Sequence, residues 1–155
     1  MRMITNLMLA IAVAFLAGTE PRGFQVWSAA QLKEAQSQLA AKLDADKFAG
    51  QGLGTYPKGS FMLAHREGNG KAELHETQDD VYLVQSGEAT LVIGGSVVDP
   101  KTIAPHEIRG ASIHGGQLKS LGYGDVVYIP AGTPHQLMVA TGKQFTYFVV
   151  KIDEK

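Results

Sequence analysis

Gly124-Asp-Val-Val-Tyr-Ile-Pro130-Ala-Gly132-Thr-Pro-His135 packs one architectural unit into a short run. The Gly124–Asp125 pair turns the chain into an apolar strand. Pro130 ends that strand, because its nitrogen has no hydrogen to give to a ladder. Gly132 permits a bend that a side chain would resist, and His135 arrives at the start of the next strand. Strand, breaker, bend and a delivered imidazole is a pattern of β architecture, and its one polar side chain of consequence is a histidine.

The same alternation runs through the chain from Tyr56 onward. Short segments rich in Val, Ile, Leu, Tyr and Phe recur between Gly, Asn and Asp, as strands do between turns. Ser60–Arg66 and Lys71–Glu76 flank Asn69-Gly70, a dipeptide suited to a tight hairpin turn. Val81–Gln85 and Ala89–Ile93 flank Ser86-Gly87-Glu88, and Gly94-Gly95 leads into Ser96–Val98. Ile113–Leu121, Asp125–Ile129, Gln136–Ala140 and Phe145–Ile152 complete the series. With no helical pattern among them, these segments predict an all-β antiparallel sandwich or jelly-roll barrel. Asp99–Gly110 shows no alternation and reads as an ordered loop near a binding mouth.

Upstream, Ser28 and Gln31 form a capping box, and Leu32, Leu39 and Leu43 recur at helical spacing, so a helix is expected over Ser28–Leu43. Asp44–Thr55 reads as a polar, Gly-rich link. Residues 1–19 begin with Arg2, continue through an apolar run and end in Ala17-Gly18-Thr19 before Pro21. That is the pattern of a secretory signal peptide cleaved ahead of Glu20. The run is shorter than a membrane span needs and lacks a basic flank after it, so export without stable membrane insertion is expected. The resulting organisation is a signal peptide over 1–19, a helical extension over 20–55 and a β-barrel domain over 56–155.

Composition narrows the chemistry. The chain has 155 residues, 14 Lys+Arg against 15 Asp+Glu and no Cys. No cationic excess exists to displace phosphate counterions, which argues against nucleic acid as a partner. The absence of thiols removes disulfides, thiolate zinc sites, iron–sulfur clusters and a cysteine nucleophile. No glycine-rich phosphate loop or Ser–His–Asp order can be assembled. Histidine and carboxylates remain to carry any site.

A second segment, Glu73-Leu-His75-Glu-Thr-Gln-Asp-Asp80-Val-Tyr-Leu-Val-Gln-Ser-Gly87, combines those residue types on and beside a strand. Together with Gly124–His135 it resembles the two motifs of the cupin family, over about Tyr56 to Ile152. In that family the first motif is HxH, three or four residues, Glu, six residues and Gly. The second is the Gly…Pro-x-Gly-x-x-His pattern, usually closed by Asn. The resemblance implies a double-stranded β-helix, or jelly-roll barrel, with its pocket inside. It also implies one divalent metal, a small-molecule ligand or substrate and a homodimer.

Aligned on Gly87, Asp80 stands at the family's Glu, His75 at the second His and Glu73 in place of the first His. His135 is the last His, and Val139 replaces the closing Asn. Two imidazoles and one carboxylate from His75, His135 and Asp80 make a ligand set found at open non-haem iron sites, and Glu73 can add a fourth ligand. Residues 73 and 75 share a face because strand side chains alternate. Two carboxylates favour Fe, Mn or Zn over Cu(I). Glu73 is also the candidate proton shuttle.

Other side chains have quieter readings. Asp79 can substitute for Asp80 if the strand is offset by one. His65 either supplies the missing imidazole from an adjacent strand or, as preferred here, is a satisfied structural histidine, and His106 and His114 are expected to be exposed. Glu107 and Arg109 form either a gate or an exposed ion pair. Tyr82, Tyr128, Phe61 and Met138 line the cavity or belong to the core, and Gly23–Trp27 can reach a neighbouring subunit. The leading expectation is an exported, metal-dependent cupin enzyme of oxygenase, lyase or isomerase type. The alternative is a non-catalytic module that binds a small ligand at a degenerate metal site.

Overall fold

The computed structural model describes residues 20–154; the leader expected over 1–19 lies outside the described residues. In chain order the elements are helix α1 (Ala29–Leu39) and strands β1 (Phe48–Tyr56), β2 (Gly59–Arg66), β3 (Ala72–His75), β4 (Gln78–Gly87), β5 (Ala89–Ile93), β6 (Ser96–Val98), β7 (Lys101–Ala104), β8 (Glu107–Gly110), β9 (Ser112–His114), β10 (Gln117–Leu121), β11 (Val126–Ile129), β12 (His135–Met138) and β13 (Phe145–Asp153). A five-stranded sheet, ordered β1-β2-β13-β4-β11, faces a six-stranded sheet, ordered β10-β5-β12-β3-β8-β7. A two-stranded ribbon, β6-β9, stands apart. All pairings are antiparallel. This is the expected all-β jelly-roll barrel with one N-terminal helix.

The core lies between the sheets. Phe145, Tyr147 and Val149 of β13, Tyr82 and Val84 of β4, Leu91 of β5 and Leu137 of β12 are buried together. They alternate along their strands because each strand points every second side chain inward. Gly87 marks the crossing from one sheet to the other. It has φ +78°, and a Cβ there would collide with the Gln144 carbonyl oxygen, so only glycine fits.

Helix α1 begins as expected. The Gln31 N–H donates to the Ser28 hydroxyl at 3.2 Å, and the Ser28 N–H donates back to the Gln31 side chain at 2.8 Å. Ala35 and Leu39 of α1 pack on Ala49 and Leu63, covering the outer face of the five-stranded sheet. A short 3-10 turn, Ala40–Lys42, ends the helical segment.

Four local expectations change. Asp44–Thr55 is no link: most of it is β1, paired along β2 from Phe48↔Arg66 to Tyr56↔Gly59. Its glycines hid the strand, which needs few large side chains because it lies at a sheet edge. Asn69-Gly70 makes no hairpin, since β2 and β3 belong to different sheets. Instead the Val139 N–H donates to Asn69 Oδ1 at 3.0 Å and the Gly70 N–H to the Leu137 carbonyl at 2.8 Å, so the dipeptide terminates β12. Asp99–Gly110 is not a loop but the β7–β8 hairpin, turning at Pro105-His106 with His106 at φ +63°. β7 is exposed throughout, and an edge strand without a buried face shows no apolar alternation. Ile113–Leu121 splits into β9 and β10 at Gly115-Gly116. Ahead of the helix, Trp27 packs edge-on against Phe61 of its own barrel, with ring centroids 5.6 Å apart.

Candidate metal centre

Strand register assembles the site. His135 of β12 lies opposite Glu73 of β3, and on the other side of β3 His75 lies opposite Glu107 and Glu73 opposite Arg109. Asp80 of β4 faces in from the other sheet, directly opposite Lys151 of β13. The four residues read from the motifs, Glu73, His75, Asp80 and His135, come together. Ligand atoms of Glu73, His75 and His135 all lie within 4.8 Å of one another. Asp80 Oδ2 is 3.3 Å from His75 Nε2 and 3.5 Å from His135 Nε2.

Both imidazoles are aimed by their outer nitrogens. His75 Nδ1 is 2.8 Å from both Glu107 carboxylate oxygens, and His135 Nδ1 is 3.0 Å from the Thr133 carbonyl. Each contact favours the tautomer that keeps the proton on Nδ1 and leaves Nε2 facing the cluster. Proteins commonly orient metal-bound histidines through a partner of this kind. Gly132, at φ +73°, shapes the turn that supplies the Thr133 carbonyl, so the Pro-x-Gly-x-x-His segment both delivers the imidazole and aims it. His135 Nε2 is buried and has no hydrogen-bond partner. An orphaned buried acceptor is costly unless something occupies it, and beside a second imidazole and two carboxylates the donor set suits a divalent cation of the Fe, Mn or Zn type.

The electrostatics are those of a tightly coupled cluster. For Glu73, burial works to raise the carboxyl. Its contact with His75 and the neighbouring Arg109, His135 and Arg66 outweigh that and lower the group to about 2. Burial also works to raise Asp80, but its contacts with His135, His75 and Lys151 hold it far below the usual carboxylate range. Burial disfavours a charged His75, yet the Asp80 and Glu73 carboxylates overcome that and the Lys151 charge, raising it to about 9. The Tyr82 hydroxyl donates to Asp80 Oδ2 at 3.1 Å, and burial with the Asp80 charge keeps its phenol protonated.

The remaining candidates separate cleanly. Asp79 points away and accepts from the Tyr128 hydroxyl at 2.9 Å and the Ala131 N–H at 2.8 Å, so it is no substitute for Asp80. His65 is buried and bonded to Thr146 Oγ1 at 2.7 Å and Glu67 at 3.3 Å. His106 and His114 are exposed. Tyr82 lines the cavity beside the cluster. Tyr128 is exposed, Phe61 stacks with Phe148 at 5.9 Å, and Val139 belongs to the core.

Three participants escaped the motif reading. Glu107 and Arg109 are neither a gate nor an exposed pair. Arg109 donates to Glu107 Oε2 at 2.9 Å and lies 3.3 Å from Glu73 Oε2, so it holds both carboxylates that flank His75. Lys151 reaches into the cluster, 2.8 Å from Asp80 Oδ1 and 2.9 Å from His75 Nε2. The signal for Lys151 was available in β13, where counting by twos from Tyr147 through Val149 lands on it. Glu107 had no such signal, because its segment carries no visible strand pattern.

No protein-family model and no curated protein matches the sequence. Solved structures do match. TT1209 from Thermus thermophilus is 20% identical with a TM-score of 0.53, over 77% of this chain and 95% of that one. Peruvianin-I, a cysteine peptidase from Thevetia peruviana latex, is 12% identical with a TM-score of 0.53, over 77% and 70%. The DMSP lyase DddQ from Ruegeria pomeroyi is 20% identical with a TM-score of 0.51, over 72% of this chain and 51% of that one. Chemistry does not follow the shared shape, for this chain has no cysteine with which to act as the peptidase does. Topology, register and these likenesses together give the described residues a cupin-like, jelly-roll β-barrel fold, in which Glu73, His75 and His135 stand close enough together to share a metal ion.

Proposed function

We propose that the protein is an exported small-molecule cupin that binds one divalent metal through His75, His135 and the carboxylates of Glu73 and Asp80, and acts as a metal-dependent enzyme on a small organic substrate. The observation that carries this reading is the buried, unpartnered Nε2 of His135 in a cluster of a second imidazole and two carboxylates. A bound Fe, Mn or Zn ion would supply Lewis-acid polarisation of an oxygen-bearing substrate or activation of water or dioxygen.

The chain's own residues prepare that chemistry. Glu107 and the Thr133 carbonyl orient the imidazoles. Arg66 and Arg109 lie 3.6 Å and 3.3 Å from the Glu73 carboxylate and keep it ionised, which suits Glu73 to holding a metal better than to carrying a proton. A cavity of about 410 Å³ adjoins the cluster, with Phe48, Met62 and Val149 as apolar wall. That is room for a small ligand with one polar end toward the cluster. A fold does not select among oxygenase, lyase and isomerase reactions.

Metal analysis of natively purified protein, followed by titration with Fe, Mn and Zn, tests the reading. Native protein is expected to carry or take up one ion per chain, and His75→Ala and His135→Ala to lose it with the β circular dichroism retained. No uptake of any of the three ions would overturn it. The second reading, a non-catalytic ligand-binding module, is favoured by one observation: the Lys151 ammonium already lies between Asp80 and His75.

Export is proposed from the pattern of residues 1–19, and an intact Met1 on protein recovered from the native soluble fraction would refute it. A homodimer is proposed because Val126 and Tyr128 are exposed on β11, an edge strand that needs covering. A single-chain mass in light scattering at micromolar concentration would refute that. Among the described residues no helix is long and apolar enough to cross a membrane.

A further inference from the structure

Lys151 occupies atoms that a metal would need. Its ammonium donates to Asp80 Oδ1 at 2.8 Å and approaches His75 Nε2 at 2.9 Å. The Asp80 side chain is 2% exposed and that of Lys151 22%, so the ammonium meets a fully buried partner on a side chain that keeps some access to solvent. The ammonium therefore stands against His75 Nε2, the nitrogen that faces the cluster and through which His75 would hold a metal.

The charges point the same way. The Glu73, Asp80 and Glu107 carboxylates are already paired with the protein's own cations Arg66, Arg109 and Lys151. A divalent ion added to the cluster meets the cations at short range, where repulsion is strong away from bulk water.

The three cations are not equally free to leave. Arg66 lies over the Phe48 ring, 4.5 Å from its centroid, and donates to the Tyr147 hydroxyl at 3.4 Å. Arg109 is tied to Glu107 and to the Ile108 carbonyl at 3.0 Å. Both guanidinium groups keep partners outside the ligand set. Among the described residues the Lys151 ammonium bonds only to Asp80 and His75, on a flexible stem with a compact, strongly hydrated charge.

We propose that Lys151 is the resident cation of the metal-free barrel, that it must swing out for a metal to enter, and that it thereby sets the metal affinity of the site. The proposal rests on the metal-binding reading above and assigns its regulation to one side chain. Lys151 acts here as a gatekeeper of the ligand atoms and touches neither substrate nor reacting atoms.

Calorimetric titration of the metal-free full chain with Zn(II) and Mn(II) tests it, on wild type, Lys151→Met and Lys151→Gln. Gln keeps a donor for Asp80 and so guards against a folding defect in the Met variant. Both variants are expected to bind at least about tenfold more tightly than wild type, the scale on which partners of metal ligands act. Equal or weaker binding by the variants overturns the proposal and leaves the metal-binding reading in place. Binding by the variants alone supports the proposal and overturns that reading for the native chain, and no binding by any of the three overturns both. An independent measurement is amine modification of wild type followed by mass spectrometry. Lys151 should become more reactive when Zn(II) saturates the protein, and unchanged reactivity overturns the displacement.

Discussion

The two ends of the barrel interior are built from the same strands and differ only in what those strands point inward. Along β12 the series is His135, Leu137, then Val139 just beyond it; along β4 it is Asp80, Tyr82, Val84. Along β13 it is Lys151, Val149, Tyr147, Phe145. Each series begins among charges and ends in hydrocarbon, with tyrosines between whose hydroxyls serve Asp80 and Arg66. The apolar end gains from burial without directional demands. The polar end must satisfy every group, and a buried ion pair returns little net stability for its desolvation. One end therefore holds the barrel closed, and the other leaves His135 Nε2 for a ligand to satisfy.

That contrast can be broken. Phe145, fully buried at the apolar end, should cost about 3–5 kcal/mol of stability when replaced by Ala, from lost transfer energy plus a cavity, measured by urea unfolding. A loss below about 1 kcal/mol would mean that the apolar end is not where the stability lies.

A smaller effect of a different kind is expected at the other end. Glu107→Gln keeps the shape but removes the charge that orients His75, so metal affinity should fall about 10–100-fold while metal-free stability changes less than in Phe145→Ala. Titration calorimetry and urea unfolding on the same variant check both halves. Unchanged affinity would make Glu107 a structural residue of the β3–β8 pairing and nothing more.

Ser28→Ala sharpens the comparison from outside the barrel. Loss of the helix cap should cost about 1 kcal/mol with metal binding unchanged, because α1 packs on the outer face of the five-stranded sheet. A change in metal affinity would couple the helix to the site and blur the division between the two ends.

How much was legible follows from how local each cue is. Pro130, Gly132 and His135 act within one turn, so the sequence reads them well, and the aligned spacing to Gly87 found His75, Asp80 and Glu73. Asn69-Gly70 misled because the same dipeptide serves a hairpin or a crossing between sheets, and only the partners of β2 and β3 distinguish them. β1 and the β7–β8 hairpin were invisible because β1 is a glycine-rich edge strand, β7 is an exposed edge strand, and β8 spends Glu107 and Arg109 on the polar cluster instead of on an apolar face. Glu107 meets His75 across 32 residues, a contact with no local signature.

By itself, then, the sequence determined the strand content, the capped helix, the identity of the inward imidazoles and the exclusion of thiol chemistry, since each depends on neighbouring residues and on composition. Tertiary structure alone decided which strands pair, and hence that Glu107 aims His75 and that Lys151 lies opposite Asp80. The physical reason is that period two places a side chain on a face, whereas register across a sheet is chosen by the packing of every strand at once.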